Sequence, residues 1–148
     1  MKNFAHIQKR YYLIRRCNND FYELFLKADV DKVKKMGIEI KDFNGEGYSP
    51  VISYHNWRVA IVNYCERLRE DCVCKVERHT KTDEVFILLQ GKATLHIGKE
   101  LKKFPMQQGE IYNVKCGEWH AITMTSGSKV VVVEDDDTNQ TNTEYYYF

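Results

Sequence analysis

Nothing in this 148-residue sequence approaches the ~18–20 consecutive apolar residues that a membrane-spanning helix requires, so no span is expected. An excess of one charge is missing too. Lys and Arg number 22 against 21 Asp and Glu, a net charge of +1, which leaves no global field favouring nucleic acid or an anionic membrane. A helix-turn-helix pattern is also absent, so no DNA-binding output is expected. The opening stretch MKNFAHIQKRYYLIRR has neither a long apolar core nor a small-residue cleavage site. No secretory leader is expected, and the reading is a cytoplasmic protein. The cysteines number 5, an odd count that does not suggest a disulfide framework. Cys72 and Cys74 are read as part of a strand over 72–77, pointing to one face, at a spacing poorly suited to bridging each other. No second Cys pair lies at zinc-site spacing, so both are read as small hydrophobes.

What is present is the material of one folded domain. Hydrophobic residues make up 43% of the chain, aromatics 13% and charged residues 29%, which excludes a disordered or collagen-like chain. Residues 19–37 carry Phe21, Leu24, Phe25, Val30, Val33 and Met36 at helical intervals, with Asn19 or Asp20 as N-cap and Gly37 as the stop. An N-terminal helical segment over 1–40 is therefore expected. After Gly37 the pattern changes to short strands separated by turn residues. The loop 42–50 is followed by strands at 51–54, 57–65, 72–77, 84–89, 92–98, 109–114, 120–124 and 129–134. Gln90-Gly91 marks a tight turn. Closely spaced short strands argue for an antiparallel barrel or sandwich, here a β-barrel over about 50–134. The acidic run Glu134–Asp137 reads as a solvated turn. The tail 135–148 ends in Tyr-Tyr-Tyr-Phe, too apolar to leave in water, so it is expected to pack on the barrel or on a partner chain. One domain over 1–148 is expected.

The chemistry gathers in the middle of the chain. Lys75, Glu77 and His79 alternate along a strand and share a face. Glu84 opens the next strand, which a hairpin would fold beside the first, and His120 opens a later one. Two imidazoles and a carboxylate converging from different strands suit a divalent metal with open coordination positions. Lys75 is placed either to meet an anionic carboxylate inside the barrel or at its rim. On the 57–65 strand Arg58 and Tyr64 have the opposite parity to Trp57, Val59 and Ile61, and which set faces inward stays open. Trp119 is expected on the outer layer and His96 outward and solvated.

The spacing His79-x4-Glu84-x6-Gly91, followed by Gly109-x7-Gly117-x2-His120, resembles the two motifs of the cupin superfamily. The resemblance covers about residues 71–134. It implies a cupin-type antiparallel β-barrel (a double-stranded β-helix, or jelly roll). By it, His79, Glu84 and His120 are metal ligands and Gly91, Gly109 and Gly117 structural glycines. Glu77 stands where the motif has its first histidine, Lys115 at its proline and Met124 at its asparagine. Glu77 is therefore read as a fourth ligand or as an acid/base beside the metal. The stretches ERHTKTDEVFILLQGKA and GEWHAITM look, more loosely, like the ureidoglycolate lyase (hydrolase) type of cupin. The resemblance implies a lyase, hydrolase or isomerase acting on a small polar metabolite such as a hydroxy acid, ureide or sugar derivative. Zn, Ni, Mn or Fe are the expected metals, Glu77 and Lys75 the catalytic candidates, and a homodimer the expected assembly. The alternative is a non-catalytic binding or regulatory module, with or without a metal, that takes a small molecule in the same cavity.

Overall fold

Strand propensity and period-two burial organise what the sequence folds into. In the run Lys129–Asp135, Val130 and Val132 are fully buried while Val131 and Val133 are half-buried, as expected for a β-branched strand packed harder on one face than the other. The computed structural model describes residues 37–138 and 141–148. Lys41–Phe148 form a compact unit of their own. The expected helical segment over 1–40 lies, but for its last residues, outside the described residues. Among those described the only helices are two 3-10 turns, Glu66–Leu68 and Glu70–Cys72. None is long and apolar enough to cross a membrane.

The strands are β1 (Gly47–Tyr54), β2 (Trp57–Asn63), β3 (Lys75–His79), β4 (Glu84–Gln90), β5 (Ala93–Ile97), β6 (Lys102–Pro105), β7 (Ile111–Val114), β8 (His120–Met124), β9 (Lys129–Asp135) and β10 (Thr143–Tyr147). They form two five-stranded antiparallel sheets, ordered β1-β2-β9-β4-β7 and β10-β3-β8-β5-β6. The core lies between them. Ala60, Val62, Phe86, Leu88, Val114, Val130 and Val132 come from the first sheet, Ala93, Leu95 and Met124 from the second, and Met106 from just beyond β6. Each of the larger side chains contributes about 1.5–3 kcal/mol through burial.

Several expectations need correction. Glu84 does not open a hairpin partner of β3, because β3 and β4 belong to different sheets. The Gln90-Gly91 turn likewise leads from one sheet into the other. Gly91 adopts φ +78° and presses on Ser128, whose hydroxyl accepts from Lys92 N at 2.9 Å and donates to Lys92 O at 2.8 Å. The 72–77 strand begins only at Lys75; the residues before it form 3-10 turns and a short connection, so Cys72 and Cys74 are exposed there. β1 begins at Gly47, inside the expected loop, and absorbs Pro50 at a bulge. His96 is not solvated: it is 2% exposed and its Nε2 lies 2.8 Å from Thr123 Oγ1. On β2 the inward set is Arg58, Ala60 and Val62, with the neighbouring Tyr64 also packed on the core. Trp119 packs under Arg78 and edge-on to Tyr146. The tail, unread as a strand, is β10, paired with β3 so that Tyr145 lies opposite Glu77 and Thr143 opposite His79.

Candidate functional site

Alternation along β3 brings Lys75, Glu77 and His79 to the inner face, and the only Cα pairing of β3 with β8 sets Glu77 against His120. From the opposite sheet, the first residue of β4 sends Glu84 into the same space. The connection between them is held at its corner by Asp83, which accepts from Lys115 Nζ at 2.7 Å, Asn113 Nδ2 at 3.0 Å and Cys116 N at 2.8 Å. Those bonds hold the Asp83 carboxyl down to about 2. Gly117, at φ +82°, donates its N–H to His79 O at 2.8 Å and sets the chain that leads into His120.

The side chains converge on one carboxylate oxygen. Glu84 Oε2 lies 3.0 Å from His79 Nε2 and 2.8 Å from His120 Nε2, with all three side chains buried. The other ring nitrogens are held from behind: His79 Nδ1 by Thr143 Oγ1 at 3.0 Å, and His120 Nδ1 by Glu118 O at 3.0 Å. A carbonyl only accepts, so His120 Nδ1 carries a proton and donates it. Neutral His120 then turns an Nε2 lone pair toward Glu84 Oε2, which is repulsive at this distance. A proton on Nε2 relieves the repulsion, and so does a cation among the three atoms. Burial alone would raise the Glu84 carboxyl, but hydrogen bonds from His120 and His79 outweigh it and hold it at about 2. Burial would likewise lower His120, and its bond to Glu84 raises it instead. Glu77 is raised, chiefly by burial and further by Glu84, against the pull of His120, His79 and Lys75.

A further acid belongs to the site. Glu134, expected in a solvated turn, is the last inward residue of β9 and is buried. Arg58, its cross-strand neighbour, donates Nε–H to Glu134 Oε1 at 3.0 Å, and Tyr48 donates its hydroxyl to the same oxygen. Two overlapping groups bring candidate ligand atoms within 4.8 Å of one another: Glu77, His79 and His120, and His79, Glu84 and Glu134. Buried carboxylates facing two imidazoles fit a divalent cation with mixed oxygen and nitrogen ligands. The anchored Nδ1 atoms fit as well, since a ligating histidine is normally fixed through its second nitrogen. The sequence does carry a signal for Glu134: Val130, Val132 and Glu134 share one parity.

The site opens into a cavity of about 480 Å³. Val62, Phe86, Ile122 and Val132 give it an apolar wall, Glu77, Glu84 and His120 its floor, and Tyr48, Arg67 and Lys75 further polar lining. Phe86 packs edge-on to His120, with ring centroids 5.9 Å apart. Lys75 is at the exposed edge of the cavity and not among the converging side chains, its ammonium 3.8 Å from the Tyr145 ring centroid.

Comparison with known proteins supports the same architecture. Residues 66–134 match the family model for the Cupin domain. A variant of Streptomyces PAC13 solved with uridine superposes with a TM-score of 0.54 at 11% identity, covering 73% of this chain and 84% of that one. A second structure of Pac13, described there as a unique nucleoside dehydratase, gives the same TM-score of 0.54 at 11% identity; 73% of this chain and 85% of that one are covered. KdgF from Halomonas sp. gives a TM-score of 0.50 at 15% identity over 72% of this chain and 93% of that one. At these identities the likeness is one of fold. Among curated proteins none matches.

Proposed function

Taking residues 66–134 as a cupin domain, we propose that this protein is a metal-dependent lyase, hydrolase or isomerase acting on a small polar metabolite. A hydroxy acid, ureide or sugar derivative would fit, and the looser ureidoglycolate lyase likeness favours the first two. The observation that carries this reading is the convergence of His79 Nε2 and His120 Nε2 on one oxygen of Glu84, with both Nδ1 atoms held from behind. His79, Glu84 and His120 would hold Zn, Ni, Mn or Fe, which when bound polarises a substrate oxygen and lowers the pKa of bound water. Glu77 stands beside them as a fourth ligand or as the general base. Its raised carboxyl moves it towards the range in which a carboxylate exchanges protons near neutrality. Lys75 meets the substrate's anionic end.

Metal content of the full chain, purified with a histidine-free tag and without added metal, tests this reading. Near-stoichiometric metal supports the enzyme. A metal-free protein that takes up none on titration shifts the reading to a small-molecule-binding module. We further propose a homodimer joined through the aromatic tail or the N-terminal segment; Tyr145, Tyr146, Tyr147 and Phe148 are all exposed in the single chain. A monomer in light scattering at micromolar concentration would refute it.

A further inference from the structure

Most of the arginines in Lys41–Phe148 are neutralised by acids. Arg58 pairs with Glu134, Arg69 with Glu66 and Asp71, and Arg78 with Glu144; Lys103 pairs with Glu70, Lys115 with Asp83 and Lys129 with Asp42. Among the described residues that line the cavity, the basic side chains are Arg67 and Lys75. Neither has an ion-pair partner among the described residues, and both are exposed residues lining the cavity that Glu77, Glu84 and His120 also line. Charge balance works in the same direction. A divalent cation bound at the floor would, together with Arg58, offset Glu77, Glu84 and Glu134 and so leave Arg67 and Lys75 available to an anionic ligand.

Arg67 lies close to β1, and Lys75 packs on two aromatic rings. One Arg67 guanidinium nitrogen lies 3.1 Å from where a Cβ on Gly47 would sit, so the glycine, at φ +74°, makes the room that lets the guanidinium lie against β1. The Lys75 ammonium sits 3.8 Å from the Tyr145 ring centroid and 5.9 Å from that of Tyr147. For Lys75 such ring contacts limit the motion of a long side chain without neutralising it. Lys75 lies two residues from Glu77 on one face of β3, a separation of about 6.6 Å along the strand. A planar guanidinium fork matches a carboxylate.

Resting on the reading above, we infer that Arg67 and Lys75 form a carboxylate subsite at the cavity mouth and that the substrate is a small hydroxy acid. Its carboxylate sits at the rim and its oxygen-bearing carbon reaches toward the floor. The two residues determine specificity and do not touch the reacting atoms.

The experiment is calorimetric titration of the full chain with γ-hydroxybutyrate and with its neutral amide, alongside metal analysis of the same samples. The acid should bind about tenfold or more tightly than the amide, as expected when a charge-assisted contact is lost. Arg67→Gln and Lys75→Met should each cut that preference at least about threefold with unchanged metal content. Both residues are exposed, and thermal unfolding checks that the variants fold. Equal affinity for acid and amide, no binding of the acid at millimolar concentration, or a preference that survives both substitutions would overturn the inference. The acid-to-amide ratio reports on the rim and the metal content on the floor, so a failure of one is distinguishable from a failure of the other.

Discussion

Glu77 faces His120 directly across the β3–β8 ladder, so the carboxylate that replaces the first histidine of the cupin pattern stands beside the last histidine of that pattern. Its candidate ligand atom lies within 4.8 Å of those of His79 and His120. Glu77→His would exchange a hard oxygen donor for an imidazole at that place. The variant should retain or strengthen zinc and nickel binding. His120→Ala should weaken it about tenfold or more. Calorimetric metal titration measures both, and an unchanged affinity in His120→Ala would remove the proposed centre.

The support behind the imidazoles can be tested separately. Thr143 Oγ1 holds His79 Nδ1 at 3.0 Å from β10. Thr143→Val, which keeps the shape and removes the hydroxyl, should lower metal affinity by about tenfold, and Thr143→Ser should restore most of it. Equal affinities across the three proteins would show that His79 does not depend on this contact.

The pH dependence of the metal-free protein follows from Glu84, His120 and Glu77. Glu84 is held at about 2, below its ordinary 4.5, so its stabilisation is present above pH 4.5 and is lost as pH falls towards 2. His120 is raised above its ordinary 6.5, so its contribution is full below pH 6.5 and is lost as pH rises through the folded value. Glu77, raised by burial, contributes fully below pH 4.5 and less as pH rises through its folded value. Urea unfolding of metal-stripped protein should therefore show stability gained through Glu84 as pH rises from about 2 towards 4.5, and lost through Glu77 and His120 on the alkaline side. With metal bound the alkaline decline should reverse, because ligation requires deprotonated imidazoles. A metal-free profile that stays flat from about pH 6 to 9 would contradict the coupling.

Gly91 and Gly127 offer a matched comparison. Both have φ +78°, but a Cβ on Gly91 would meet Ser128 Oγ at 2.3 Å and Ser128 Cα at 2.7 Å, whereas one on Gly127 meets nothing within 4 Å. Gly127→Ala should cost about 1 kcal/mol of backbone strain. Gly91→Ala should cost about 2–4 kcal/mol, because overpacking against the backbone is added. Denaturant unfolding of the two variants gives the difference, and similar costs would mean that the Ser128 contact relaxes freely.

Spacing in the sequence is enough to single out His79, Glu84 and His120 as side chains that converge, because the cupin-like motif they resemble is spaced by strand length and turn length together. It does not show which sheet each strand joins. His79 and Glu84 read as hairpin neighbours, yet they meet across the gap between sheets, a juxtaposition set by packing and not by local pairing. Glu134 is masked by its company: with Asp135, Asp136 and Asp137 it looks like a solvated run, although it shares the parity of Val130 and Val132, and the register that sets it against Arg58 bears that parity out. His96 misleads for a related reason, since an alternation rule gives the face a residue occupies but not whether that face is covered. The tail strand is hard to see because its five residues follow a polar stretch and carry no turn signal of their own.

The division of the converging side chains between sheets has a mechanical consequence. His79 and His120 belong to one sheet, Glu84 and Glu134 to the other, and among the described residues no strand ladder joins the two. An ion held by both pairs would act as a rivet through the sandwich. Slow amide exchange in β3 and β4 would then rise and fall together with metal occupancy, and a chelator would free the halves to breathe apart well before either sheet lost its own hydrogen bonds.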